Sequence, residues 1–85
     1  MVNWEEIREL LRKRPFQPFR VHLTDGRSFT IEYPIINAVI ETCMTIGIPT
    51  PNDPDPLAER RIYVDLNRIE RVAVLDYPSP WKARY

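Results

Sequence analysis

The alternation across residues 16–34 restricts the fold more than any other stretch: Phe-Gln-Pro-Phe-Arg-Val-His-Leu-Thr-Asp-Gly-Arg-Ser-Phe-Thr-Ile-Glu-Tyr-Pro. Phe19, Val21 and Leu23 alternate with Arg20 and His22, and after Asp25-Gly26 the apolar Phe29, Ile31 and Tyr33 alternate with Ser28, Thr30 and Glu32. A period of two with one apolar side suits a half-buried strand, because successive side chains leave opposite faces of the pleat. Asp-Gly supplies the positive backbone angles of a tight reversal. The stretch predicts an antiparallel hairpin, and something else in the chain must cover its apolar face.

Residues 3–13 are the first candidate cover. Asn3 is placed to cap free amides, Glu6 completes a capping box, and Val2 with Ile7 forms a hydrophobic staple. Glu5 and Glu6 suit the positive end of a helix, and Arg12, Lys13 and Arg14 the negative end. Trp4, Ile7, Leu10 and Leu11 share one side, so the helix is expected to lie on the sheet or on a barrel mouth. Pro15 stops it, and Phe16 and Phe19 in the Pro-framed connector are expected to anchor helix to strand.

Beyond the hairpin, Pro34 ends or bends the second strand. Residues 37–40 and 44–48 are expected as further strands around a turn at 41–43, because Thr42, Thr45, Val39 and several Ile favour extended chain. Residues 49–59 hold four prolines among Asn52, Asp53 and Asp55 and read as a loop. Their carboxylates lack the glycine turn and distal Glu of a calcium loop. Residues 61–65 and 69–75 predict two closing strands joined by a single turn at 66–68. The fold class expected is mainly β (α+β): a helix, then a small, strongly bent antiparallel sheet or barrel of about five or six strands. Residues 1–75 form one domain and 76–85 a proline-containing tail.

Charge and composition narrow the function classes. The 85 residues carry Lys+Arg 12 and Asp+Glu 12, so only a local patch, and no overall field, would attract nucleic acid or an anionic membrane. One cysteine excludes an intrachain disulfide, and one histidine removes the usual zinc sets, so no metal or other cofactor is expected. No apolar run of about 20 residues is present, and a soluble, cytoplasmic protein without a membrane partner is expected.

Three stretches resemble the small barrels of the Sm-like superfamily: residues 23–27, residues 37–40, and the strand, turn, strand finish from Ile62 to Ile69. The resemblance implies a small barrel, but not its uridine pocket. Tyr33 stands where that pocket has an Asp, Asp65-Leu66 stands for its Arg-Gly, and only Asn37 is kept. Over most of its length the chain also resembles small bacterial proteins with a short helix, an Arg-Pro-Phe-x-Pro-Phe-Arg connector (residues 14–20) and a Leu-x-Asp-Gly-Arg hairpin (residues 23–27). That resemblance carries no activity with it.

No nucleophile, base and orienting group converge in the sequence. His22 is expected outward on a strand, Cys43 lies among apolar residues, and Tyr63 and Glu70 are strand positions, so the chain is expected not to be an enzyme. Arg12, Lys13, Arg14, Arg20, His22 and Arg27 form a candidate nucleic-acid or anion patch, to which Arg68 and Arg71 could add. Trp81 and Tyr85 form a candidate partner-binding tail. The leading expectation is an interaction or assembly module that self-associates or docks into a larger complex; the alternative is binding of single-stranded RNA.

Overall fold

The structure is a computed structural model that describes residues 2–49 and 58–80. Helix α1 spans Trp4–Arg12. Asn3 caps it as expected, its Oδ1 accepting the amide of Glu5 at 2.9 Å. Arg14 closes the other end by donating to the carbonyls of Leu11 and Lys13 at 3.0 and 2.8 Å. Phe16 and Phe19 are both buried and meet edge to face, with ring centroids 6.1 Å apart, as the connector requires.

Strands β1 (Phe19–Leu23) and β2 (Ser28–Ile31) form the expected hairpin, with Val21 opposite Phe29 and His22 opposite Ser28. The reversal takes three residues, 24–26. Gly26 donates to Leu23 O at 3.1 Å, and Leu23 N–H donates to Arg27 O at 2.8 Å. Gly26 holds φ at 94°, the left-handed region that a bulged three-residue loop needs.

The sheet does not run on through Pro34, and this separates the structure from a single bent sheet. With no N–H to give, Pro34 cannot extend a ladder, and Pro34–Ile36 turns as one 3-10 loop. The chain then enters a second sheet through β3 (Ala38–Val39), β4 (Cys43–Pro49) and β5 (Ala58–Asp65). Residues 44–48 lie within its central strand, and β5 starts three residues earlier than expected, inside the stretch assigned to a loop. The turn Leu66–Arg68 returns the chain to the first sheet as β6 (Ile69–Val74). The architecture is α+β, one helix and two antiparallel sheets of three strands ordered β2-β1-β6 and β3-β4-β5, with no closed barrel among the described residues.

The two sheets and the helix share one apolar cluster. Phe19, Val21, Leu23, Ile31 and Ile69 come from the first sheet, Met44, Ile46 and Val64 from the second, and Ile7 and Leu11 from α1. Leu66, in the crossing turn, is buried too, and its amide is held by Thr42 O at 3.1 Å. Helix α1 packs nearest β3, the shortest edge strand. No helix among the described residues is long and apolar enough to cross a membrane.

Candidate interaction surface

Because Phe19, Val21 and Leu23 point inward, Arg20 and His22 share the outer side of β1 and are half-buried. Across the ladder, Thr30 and Ser28 of β2 stand opposite them on one flank, and Ala73 and Arg71 of β6 on the other. Arg20 Nε donates to Thr30 Oγ1 at 3.3 Å. An extra residue in β6, between Ile69 and Arg71, lets Leu23 face Ile69 while His22 faces Arg71. Arg20, His22 and Arg71 thus lie on one sheet face.

The other patch residues sit elsewhere. Arg27 is in the hairpin turn, 2.8 Å from Asp25. Hydrogen bonding by the Arg27 amide, with its guanidinium and the more distant Arg68 adding to the effect, holds the Asp25 carboxyl below its ordinary pKa. Arg12 and Lys13 line a groove on the helix beside Leu10, Glu6 and Glu9, so their surroundings are mixed in sign. Arg14 is turned onto the helix carbonyls. The six residues are carried by three separate elements: helix end, strand face and turn.

Sequence reasoning passed over the outer face of the second sheet. Tyr63 is 75% exposed and Ile35 60% exposed. With Asn37, Thr45 and Arg61 they line a shallow cleft of about 140 Å³. Inward burial of Met44, Ile46 and Val64 forces their neighbours Thr45 and Tyr63 outward, and the two residues are paired across β4 and β5. The pattern Arg61, Tyr63, Asp65 was legible as the polar side of a strand; that its aromatic member has no cover among the described residues required the tertiary structure. Asn37 has a structural post here. Its Nδ2 donates to Tyr33 O at 2.7 Å and its Oδ1 accepts Gly47 N–H at 3.1 Å, tying the 3-10 turn to β4.

Residues 75–80 are tied to the domain. Leu75 N–H donates to Pro18 O at 2.8 Å, and Gln17 Nε2 donates to the carbonyls of Leu75 and Tyr77. Tyr77 OH donates to Glu32 Oε2 at 2.8 Å, and Ser79 Oγ donates to Glu32 O at 2.7 Å. That bond to Glu32, with some burial and the carboxylate's charge, raises the Tyr77 pKa above its ordinary value. The proposed partner-binding residues Trp81 and Tyr85 lie outside the described residues, as do Asp53 and Asp55.

No known family, curated protein or solved structure matches this chain. Among the described residues no group of His, Cys, Asp and Glu is arranged to hold a metal ion. Cys43 is half-buried on β4, across the ladder from Asp65. Among the described residues the outer sheet faces offer guanidinium groups, the exposed phenol of Tyr63 and strand edges without a neighbouring strand, a set suited to reversible contact.

Proposed function

We propose that this protein is a non-enzymatic assembly module that self-associates, or docks into a larger complex, through its sheet edges. The observation that carries this reading is the exposure of large apolar side chains on strands and their flanks: Ile35, Ile40, Tyr63 and Val74 are 60, 59, 75 and 56% exposed. A chain of this size buries only roughly 60% of its unfolded surface, so covering such residues in a complex adds materially to stability. A balance of 12 basic and 12 acidic residues leaves no net repulsion between copies. Sedimentation or light scattering at micromolar concentration tests the reading. A strictly monomeric mass, together with no partner in a pull-down, ends it.

The tail needs a more careful test than removal of residues 76–85. That deletion also takes away Tyr77 and Ser79, which hold Glu32. A chain ending at Pro80 keeps both and asks only about residues 81–85.

A second reading, binding of single-stranded RNA, is favoured by one observation: Arg20, His22 and Arg71 occupy one outer sheet face. Guanidinium groups there would meet phosphates, with strong salt dependence. No mobility shift of labelled single-stranded RNA at low salt would dismiss it. We also read the two sheets as halves of an opened Sm-like barrel, supported by the sheet orders and by the single turn linking β5 to β6. An experimental structure in which the first and last strands fail to pair would remove that kinship.

A further inference from the structure

We infer that β5 is a self-complementary edge, and that two copies of this chain join through it, antiparallel, about a two-fold axis at Tyr63. The inference rests on the self-association reading and names its partner and its surface. Its first support is the direction of the peptide groups. Leu66 N–H donates to Thr42 O, and Ile40 N–H donates to Cys43 O. Peptide groups alternate sides along an antiparallel strand, so Thr42, Met44 and Ile46 turn theirs toward β5, where Val64 and Ile62 stand opposite Met44 and Ile46. Those of Arg61, Tyr63 and Asp65 consequently face away from β4. Among the described residues that side of β5 has no neighbouring strand.

The second support is charge. Pairing β5 with a second copy about Tyr63 sets Arg61 opposite Asp65, Tyr63 opposite Tyr63, and Asp65 opposite Arg61. All three side chains are exposed and on the same outer face. Ile62 meets Val64 on the inner face, continuing the apolar side of the sheet. Every outward donor among these three residues meets an outward acceptor of the other copy. Registers centred on Ile62 or Val64 lose both Arg61–Asp65 pairs. The other edges lack this property. β2 has 4 residues and β3 has 2, against 8 in β5. In β6, the extra residue Glu70 interrupts the regular alternation beside Arg71, so the only oppositely charged neighbours on that edge lie in a bulge and not in a regular ladder. The product is a continuous sheet, β3-β4-β5 followed by the same strands of the second copy in reverse.

Charge reversal tests this directly by sedimentation equilibrium. The wild type should form a dimer. Arg61→Asp and Asp65→Arg should each weaken it about tenfold or more, because two attractive cross-strand pairs become repulsive. An equimolar mixture of the two variants should recover a heterodimer, since each then faces the opposite charge. As an independent check, Tyr63→Cys in a Cys43→Ser chain should oxidise to a covalent dimer, since directly opposed residues lie about 5.5 Å apart, within disulfide reach. A wild-type dimer indifferent to the reversals and without the crosslink overturns the β5 assignment and leaves association through another surface standing. A wild type that stays monomeric, with no recovery in the mixture and no crosslink, overturns both.

Discussion

Gly26 is the residue whose identity the hairpin can least exchange. Its φ of 94° is strained for any side chain, while a Cβ there would meet nothing within 4 Å, so the cost of substitution is purely one of backbone. Gly26→Ala should lose about 1 kcal/mol, and Gly26→Asn less, in denaturant midpoints. Beside it, Asp25 should titrate below the unfolded value of about 3.9, as carboxyl NMR shifts would report. Its contribution to stability is then complete above that unfolded value and fades as pH falls through the lowered folded one. Asp-Gly could be read in advance, because turn chemistry depends on neighbours in sequence. The partnership of Arg8 with Trp4, its guanidinium carbon 4.5 Å from the ring centroid, could also be read from their helical spacing but was not.

Among the elements, the two crossings between sheets decide the architecture more than the strands do. Pro34–Ile36 carries the chain out of the first sheet and Leu66–Arg68 brings it back. Asn37 secures the first crossing with both ends of its amide, so Asn37→Ala should cost about 1–3 kcal/mol, measured by chemical denaturation. The C-terminal segment is a second fastening. Tyr77→Phe should cost less than about 1 kcal/mol, given the exposure of the Glu32 contact. Since the folded pKa of Tyr77 is raised, its contribution is full below the unfolded value near 10 and is lost as pH rises through the folded one. An absorbance titration of the phenolate, compared with Tyr77→Phe, checks that sign. None of these tethers was visible in residues 75–80, where Pro78 and Pro80 suggest irregular chain and nothing local points back to Glu32 or Gln17.

For the molecule as a whole, stability depends on a small interior. Phe19 is completely buried and belongs to both the hairpin and the contact with Phe16. Phe19→Ala should remove about 3–5 kcal/mol, comparable with the whole margin of roughly 5 kcal/mol for a domain this small. Loss of the cooperative thermal transition would register it. Self-association would offset part of such a loss, so the variant's melting should depend on concentration if the β5 pairing holds. The helix, the hairpin and the closing turn at residues 66–68 were each determined by sequence alone, since capping, alternation and turn residues act over a few positions. Which sheet each strand joined, where the basic residues came together and which side of β5 has no neighbouring strand among the described residues were decided only in the tertiary structure. Those outcomes depend on how burial is shared among segments tens of residues apart, and no local pattern carries that information.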